Sequence, residues 1–435
     1  MQKILQEAID RQKREHAALY AARQYTPRTK LAHTQAWLAS DLIKVIMGPR
    51  RAGKSVFASL MLSGVDHAYF NFEDETVASL SEFDSNAFMR ELAVAYGPVR
   101  TLFFDEIQNV PHWEAFINRL HREGYNITVT GSNARLLSRE LATSLTGRHI
   151  PIELLPYSFS ELLAAKQIVP HSGAAAADLP SDVIYPLLDL YLESGGYPEI
   201  VEKELAVNSY LDILFDALLY ADVVKRYRLR HAEALESLGV YLINNIASRF
   251  TLRRLTDVLG FKSPMTVETY LSHLTDAYLL YTLQPYSHKT GTRLRAAKKA
   301  YVVDNGFLTA KAVRHAPDRG IRMENLVFTE LVKRGAVPNR TLFYYETRGG
   351  KEVDFMLRDG TQTRELLQVA YDVSDERTRD REEGGLVFAA KELGCDVCTI
   401  VSWDHDAEVE RDGYRIRYIA LPRWLLEHGN DNTHA

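Results

Sequence analysis

The chain has 435 residues, of which 46% are hydrophobic and 25% are charged, as is ordinary for a globular protein of several domains. Its apolar runs are too short to cross a membrane and its first residues lack the apolar core of a signal peptide, so we expect a cytoplasmic protein without a membrane partner. The formal net charge of −5 hides a basic segment, because residues 221–299 hold 13 Lys and Arg against 6 Asp and Glu. This segment indicates a nucleic-acid partner, with a solvated face or a subunit contact as the alternative.

Residues 1–30 have the spacing of an amphipathic helix. Its apolar positions include Ile4, Leu5 and Ile9, and Pro27 closes the segment. We expect this helix to pack on the domain that follows it or on a neighbouring subunit.

A glycine-containing loop follows an apolar strand candidate and precedes a helical pattern. The loop has the form G-x-x-x-x-G-K-[ST], the phosphate-binding loop of ATP- and GTP-hydrolysing proteins. The residues that we expect to bind ATP are Gly48, Pro49, Arg50, Arg51, Ala52, Gly53, Lys54 and Ser55. Lys54 would reach the β- and γ-phosphates, and Ser55 would ligate Mg²⁺. The alternative is an ordinary glycine-containing turn between a strand and a helix.

A second motif, at residues 99–106, has the pattern of a buried strand that ends in two carboxylates. In phosphate-binding-loop enzymes an acid at this place orders the Mg²⁺ shell, a role that falls to Asp105. The next residue, Glu106, is placed to polarise the attacking water as a general base. Capping of the following helix is the alternative for this acidic pair.

Short apolar strands alternate with helices in the first third of the chain. The predicted strands are 42–47, 67–72, 99–104, 126–131 and 149–154. This alternation predicts an α/β fold with a parallel sheet and helices on both faces. Ligands of such sheets bind at the carboxyl ends of the strands, where both motifs lie.

Polar or charged residues flank two of these strands. Ser132 or Asn133 could hydrogen-bond the γ-phosphate or the attacking water, or could cap the next helix. Arg148 could be offered to ATP on an adjacent subunit as an arginine finger, or could be a surface arginine. A finger that acts on a neighbour requires a homo-oligomer, and we expect a ring.

These motifs as a set resemble the AAA-type ATPases that carry a DUF4143 C-terminal region. The resemblance rests on residues 48–55, 104–110, 129–133, 145–148, 156–161 and 195–199. It implies an AAA+-like P-loop NTPase core, a helical lid, a winged helix and an α/β restriction-endonuclease-like C-terminal domain. After an N-terminal helix at 1–30, the expected bounds of these four domains are 31–155, 156–235, 236–303 and 304–435.

The expected winged helix has two helices followed by two strand-like segments that bracket a loop. The cations of this loop that would neutralise DNA phosphates are His288, Lys289, Arg293, Arg295, Lys298 and Lys299. We expect Glu268 and His273 on the exposed face of the second helix. Because Glu268 would repel phosphate, DNA binding should depend on the backbone more than on bases. A winged helix used only for protein contact is the alternative.

The C-terminal region resembles the PD-(D/E)XK nucleases. Carried over by position, Glu324 and Asp354 match metal-binding carboxylates, which would suit Mg²⁺. Gln368 stands where a further acid is expected, and Ala370 stands where the lysine is expected. We therefore expect a vestigial metal site in a fold retained for DNA or subunit binding, rather than an active nuclease.

The combined prediction is a Mg²⁺-dependent ATPase whose cycle is coupled to DNA. One alternative is a nucleotide-dependent signalling switch that acts on a protein partner. The other is an ATP-gated nuclease. The basic excess in residues 221–299 favours DNA over the signalling switch.

Overall fold

The structure is a computed structural model, and its described residues fall into two compact units, Met1–Leu155 and Pro156–Ala435. The described residues are 2–22, 25–75, 83–132, 147–168, 179–203, 205–289, 291, 293, 296–311 and 318–427. Within these ranges no helix has both the length and the apolar character that a membrane span requires. The finer division into five domains stays a prediction.

The first unit is built on a parallel sheet. Its strands are β1 Ile43–Met47, β2 His67–Asn71, β3 Thr101–Asp105, β4 Asn126–Gly131 and β5 His149–Glu153. They lie in the order β2-β3-β4-β1-β5, and every neighbouring pair is parallel. β3, for example, is buried from Leu102 to Asp105, because both faces of the sheet are covered. The predicted α/β fold with a parallel sheet is confirmed.

Helices pack on both faces of this sheet. They are α1 Gln2–Ala22, α2 Leu31–Gln35, α3 Lys54–Met61, α4 Ser85–Tyr96 and α5 Trp113–Arg122, with short 3₁₀ turns at Ala36–Ala39 and Ile107–Asn109. Phe104 points to the face that packs on α4 and α5, whereas its neighbour Phe103 points to the face that packs on α3. Leu5 and Ile9 of α1 join the first of these two apolar clusters, so α1 packs on the core of its own unit.

The second unit begins with helices and continues into two sheets. The helices are α6 Phe159–Ala165, α7 Ser181–Ser194, α8 Pro198–Lys203, α9 Val207–Asp216, a π-helix at Ala217–Val224, α10 Lys225–Tyr227, α11 Ala232–Ile243, α12 Leu252–Leu259, α13 Pro264–Asp276, α14 Gly306–Ala310, α15 Arg319–Lys333, α16 Glu376–Leu393 and α17 Leu421–Glu427. The strands of the smaller sheet are β6 Arg249–Phe250, β7 Leu280–Leu283 and β8 Lys298–Val302. Those of the larger sheet are β9 Leu342–Glu346, β10 Glu352–Asp359, β11 Gln362–Ala370, β12 Cys398–Ser402, β13 Ala407–Arg411 and β14 Tyr414–Ala420.

The smaller sheet has the order β6-β8-β7 and is antiparallel. The larger sheet has the order β13-β14-β12-β11-β10-β9, with parallel pairing only around β12. Between the strands of the smaller sheet, α13 begins as its sequence indicates, because Ser263 caps the N–H of Met265 and Pro264 occupies the first turn. The placement of His273 on the exposed face of α13 is wrong, since its ring is 7% exposed and stacks on Tyr227.

Candidate functional site

The loop between β1 and α3 has a backbone that depends on two glycines. Gly53 adopts φ +89°, in the left-handed region, directly before the first residue of α3. Gly48 adopts φ +152°, and a Cβ atom there would lie 1.9 Å from the carbonyl oxygen of Leu154. Any side chain at position 48 would therefore separate the loop from the chain that follows β5.

The remaining loop residues differ in their surroundings. Arg50 pairs with Glu73, with 2.8 Å between Nη1 and Oε1. Arg51 is exposed at φ +67°, and Ala52 is fully buried. The carbonyl oxygen of Pro49 accepts a hydrogen bond of 3.0 Å from Lys54 Nζ.

A buried arginine that precedes the loop fixes its backbone. Arg28 donates from Nη1 to the carbonyl oxygen of Ala52 at 3.0 Å and from Nη2 to that of Leu155 at 2.5 Å. One guanidinium thus joins the loop to the segment after β5. Sequence reasoning missed Arg28, because no local pattern distinguishes it from the other arginines of the chain.

Lys54 is buried at the first position of α3, where its side chain is 4% exposed. Its ammonium lies 3.7 Å from Glu106 Oε1, in addition to its bond with Pro49. The sheet therefore brings the loop lysine and the second carboxylate of the strand-end pair together, as their places after β1 and β3 require. The ammonium group of Lys54 can therefore leave Glu106 and pair with an anion of higher charge, such as a phosphate.

The first carboxylate, Asp105, is buried and surrounded by hydroxyl groups. Thr130 Oγ1 donates to Asp105 Oδ1, and the hydroxyl of Ser55 also bonds this carboxylate. Burial, together with the charge of Glu106, raises the pKa of Asp105 to about 6, although these hydroxyls and Lys54 oppose the rise. A cation beside Asp105 would therefore stabilise the ionised form of this buried carboxylate.

The second carboxylate, Glu106, follows the strand in a left-handed conformation with φ +51°. Its N–H donates to Thr130 Oγ1 at 3.0 Å. Burial acts against its ionisation, but the charge of Lys54 and a hydrogen bond from Gln108 outweigh burial and lower its pKa. The adjacent carboxylates thus have pKa values shifted in opposite directions, which gives them different chemical roles.

A cavity of about 520 Å³ opens beside Ser55 and Asp105, and residues of α1 such as Gln12 and Tyr20 form its other wall. The hydroxyl and the carboxylate at its edge are hard oxygen ligands of the kind that Mg²⁺ takes together with phosphate oxygens. Ser132, 1% exposed at the end of β4, has a buried Oγ that lies near Glu106 and helps to lower the pKa of that carboxylate, but it makes no hydrogen bond of regular geometry among the described residues. These groups fit a nucleotide with Mg²⁺, because they leave polar atoms that a phosphate oxygen or a water can bond.

Of the other predicted residues, one lies outside the described residues and one lies apart from this cluster. Asn133 lies outside the described residues. Arg148 is exposed directly before β5, and its carbonyl oxygen accepts from the N–H of Ile43 at the start of β1. Because the strands are parallel, Arg148 lies at the amino-terminal edge of the sheet, opposite to the edge that carries the loop.

In the second unit, the three residues of the expected metal site lie close together. Gln368 Oε1 accepts from the N–H of Asp354 at 3.1 Å, and Glu324 reaches the same cluster from α15. Sequence reasoning missed two members, Glu352 and Lys299, and Lys299 Nζ lies 2.9 Å from Glu324 and 3.4 Å from Asp354. The predicted exposure of Lys299 as a DNA-binding cation is wrong, since its side chain is 2% exposed.

Three family models match the chain. An AAA domain matches residues 40–163, and domains of unknown function match residues 185–318 (DUF8612) and residues 319–423 (DUF4143). An uncharacterized protein of Methanocaldococcus jannaschii is 34% identical over 368 residues, which is 82% of this chain and 81% of that relative. The chain belongs to the AAA-domain proteins that carry a DUF4143 region. Membership in this family supports ATP binding by the first unit, as its loop and sheet also indicate.

A further family relative is an uncharacterized protein of Haemophilus influenzae, 29% identical over 410 residues, which is 89% of this chain and 95% of the relative. Among solved structures, the Walker-type ATPase PABY2304 of Pyrococcus abyssi aligns with a TM-score of 0.43 and 14% identity over 67% of this chain and 99% of its own. Cdc6p from Pyrobaculum aerophilum aligns with a TM-score of 0.27 and 12% identity over 67% and 95%. At these scores neither resemblance bears on the function of this chain.

Proposed function

We propose that this protein binds ATP with Mg²⁺ in its first unit and hydrolyses the γ-phosphate. One observation carries the proposal: Lys54 and Ser55 after β1 meet Asp105 and Glu106 after β3, with Lys54 Nζ 3.7 Å from Glu106 Oε1. A lysine, a hydroxyl and two differently tuned carboxylates are the set of groups that phosphoryl transfer to water requires.

Each of these groups has a distinct task in the proposed reaction. Ser55 and Asp105 would hold Mg²⁺, which supplies neutralisation of phosphate charge when it is bound. Phosphate oxygens compete with Glu106 for the ammonium of Lys54, so nucleotide binding releases the Glu106 carboxylate from its ion pair. The released carboxylate then accepts the proton of the attacking water. The Ser132 hydroxyl, which lacks a well-placed partner, donates to that water or to the γ-phosphate.

The experiment that tests this function is steady-state ATP hydrolysis as a function of Mg²⁺ concentration. Asp105→Asn should require far more Mg²⁺ and should hydrolyse ATP roughly 10²-fold or more slowly. Removing one group that stabilises charge in a transition state lowers the rate by about this factor. Glu73→Gln is the matched control, because Glu73 lines the same cavity but pairs with Arg50. Equal losses in the two variants, or hydrolysis that is indifferent to Mg²⁺, would refute the proposal.

The position of Arg148 supports a homo-oligomer in which each site is completed by a neighbour. Arg148 is exposed at the sheet edge opposite its own loop, so it is free to serve another subunit and is remote from its own nucleotide. An arginine that approaches the γ-phosphate from a neighbouring subunit stabilises the charge of the transition state. A head-to-tail contact of this kind forms a ring when its rotation closes, and this is the assembly that we expect.

Mixing two inactive variants tests this arrangement. Arg148→Ala keeps Glu106 but lacks the finger, and Glu106→Gln keeps the finger but lacks the base. A mixture should recover part of the hydrolysis that either variant has lost, because intact sites form between unlike subunits. A mixture no more active than the two separate variants, with both of them inactive, would show that Arg148 does not act on a neighbour.

DNA is the partner that the charge of the second unit supports. Arg253, Arg254 and Lys262 are exposed on α12 and directly before α13, within the basic segment 221–299. Cations beside a pair of short helices and an antiparallel sheet form the kind of surface that contacts a phosphate backbone in a winged helix. Exposed Glu268 on α13 acts against close base contact, so binding should be independent of sequence.

The DNA proposal is tested by hydrolysis with and without single- and double-stranded DNA. Arg253→Glu together with Arg254→Glu should abolish stimulation and leave basal hydrolysis intact. The control is Arg377→Glu, an exposed charge reversal at the start of α16 in the same unit. Hydrolysis that is indifferent to both forms of DNA would favour a nucleotide-dependent switch that acts on a protein partner.

A further inference from the structure

A lysine side chain lies inside the carboxylate cluster of the second unit. Lys299 Nζ is 2.7 Å from Glu352 Oε1, 2.9 Å from Glu324 Oε1 and 3.4 Å from Asp354 Oδ1. The Lys299 side chain is 2% exposed, so its ion pairs with these three acids lie in the interior of the unit and not at its surface. One ammonium thus bonds three carboxylates from two different elements.

The fold explains why these groups converge. Glu352 and Asp354 are two residues apart on β10, so their side chains lie on the same face of the larger sheet. Glu324 approaches from α15. Lys299 comes from β8, the central strand of the smaller sheet, and Tyr301 two residues later donates its hydroxyl to Glu324 Oε1 at 2.7 Å.

The resemblance to nucleases implies a divalent cation at this place, and the residues in the structure do not fit one. Carboxylates bind Mg²⁺ through oxygens at about 2.0–2.1 Å from the ion, which requires those oxygens to face a shared empty point. Here the shared point holds the ammonium of Lys299, which contacts an oxygen of Glu324, of Glu352 and of Asp354. A second cation at the same point would meet both a steric clash and like-charge repulsion.

Further contacts hold the arrangement in place. Val369 N–H donates to the other oxygen of Asp354 at 3.0 Å, and Arg249 bonds Glu352 from β6. Together these contacts fix the carboxylates around the ammonium group of Lys299.

We propose that Lys299 takes the place of the divalent cation in this site, so that the second unit carries an internal ion cluster that excludes metal. The cluster ties β8 of the smaller sheet to β10 and α15. Without a metal there is no Lewis acid for phosphodiester cleavage, and the unit serves in binding rather than in cutting. This inference is independent of the ATP site.

The test is Mn²⁺ binding to the whole 435-residue chain without nucleotide, measured by electron paramagnetic resonance of the free ion. Lys299→Met removes the ammonium and keeps the apolar stem of the side chain. This variant should bind one more Mn²⁺ per chain than the wild type. Adding Asp354→Asn to Lys299→Met should remove the extra ion. Any Mn²⁺ held in the first unit is common to all these proteins and cancels in the comparison.

Three outcomes overturn the proposal. Wild-type protein that binds an ion which Asp354→Asn loses would show that the site accepts a metal beside Lys299. A folded Lys299→Met variant that gains no ion would show that the carboxylates do not form a cation site. If the Met variant does not fold, Lys299→Gln replaces it, because its amide still donates to the carboxylates without a charge. Failure of this folded variant to gain an ion would contradict the proposal equally.

Discussion

Thr130 connects the two carboxylates of the candidate ATP site. Its hydroxyl donates to Asp105 Oδ1 and accepts the N–H of Glu106 at 3.0 Å. The next strand of the sheet therefore orients both acids through one oxygen atom. Thr130 touches neither the expected phosphate nor the expected water in our account, so it is a positioning residue.

Replacing Thr130 with valine should slow ATP hydrolysis about tenfold, because a hydrogen bond to a charged group contributes about 1.5–3 kcal/mol. The variant keeps the shape of the side chain but leaves the N–H of Glu106 without its partner. The required concentration of Mg²⁺ should rise as well, since Asp105 loses a bond that favours its ionised form. The measurement is the rate of hydrolysis across a Mg²⁺ titration.

Thr128→Val is the matched control for this change. Thr128 lies two residues earlier on β4, is fully buried, and has a hydroxyl without a partner among the described residues. Its loss should leave hydrolysis unchanged and stability equal or higher, because the hydroxyl makes no bond to lose. Equal effects of the two valine substitutions would contradict the positioning role of Thr130.

Gly48→Ala should abolish ATP binding and lower the free energy of unfolding by about 3 kcal/mol or more, through overpacking and backbone strain. The new Cβ would lie 1.9 Å from the carbonyl oxygen of Leu154, so the loop must move. Gly64→Ala is the control, since Gly64 has φ +80° but nothing within 4 Å of its Cβ position. The control should cost about 1–2 kcal/mol from strain alone and leave ATP affinity unchanged. Calorimetry of unfolding and of ATP binding measures both quantities.

Arg28→Met should weaken ATP binding about tenfold or more, because the variant loses the bond to Ala52 in the loop, and a hydrogen bond from a charged group contributes about 1.5–3 kcal/mol. Lys30→Met is the comparison, since Lys30 Nζ donates to the carbonyl oxygen of Glu153 in β5 rather than to the loop. The comparison variant should lose stability and keep ATP affinity. If both variants lose affinity equally, Arg28 acts through general stability and not through the loop.

His16 should make the first unit sensitive to acid. Its ring stacks on Tyr69 with 4.0 Å between centroids, and Nε2 lies 3.0 Å from Ser59 Oγ. Burial, assisted by the nearby His67, lowers the pKa of His16 to about 4 from the ordinary value of 6.5. The unfolded chain therefore binds the proton more readily than the folded one, and stability is lost as the pH falls from about 6.5 towards about 4.

The midpoint of thermal unfolding, measured at several pH values in this window, checks the role of His16. His16→Gln should lose less stability on acidification than the wild type, because the amide can bond Ser59 without taking up a proton. His33→Gln, at an exposed position, should follow the wild type. A His16→Gln curve parallel to the wild-type curve would show that other groups cause the acid sensitivity.

The sequence alone predicted the α/β fold of the first unit because its determinants are local. The five observed strands begin and end within two residues of the predicted ones, since each is a short segment rich in apolar and β-branched residues. The phosphate-binding loop and the acidic pair also depend on short spacings. Such local patterns can be recognised in a sequence without knowledge of tertiary contacts.

The residues that were missed act only through contacts made after folding. Arg28 bonds carbonyl oxygens at positions 52 and 155, and no local pattern distinguishes it from a surface arginine. Lys298 and Lys299 are adjacent identical residues on opposite faces of β8, and only the contacts of each face decide that the second one is the more deeply buried. The signal that could have found Glu352 is its spacing of two from Asp354, which places both acids on one face of a strand.

The central claim is that the first unit is an ATPase in which Glu106 is the base, and the most direct measurement compares ATP binding with ATP hydrolysis in Glu106→Gln and Lys54→Ala. We predict that Glu106→Gln binds ATP with Mg²⁺ at least as tightly as the wild type but hydrolyses it roughly 10²–10⁴-fold more slowly, as the loss of a general base requires. Lys54→Ala should lose binding itself. A Glu106→Gln variant that hydrolyses ATP at the wild-type rate, or wild-type protein that binds no ATP, would contradict the account.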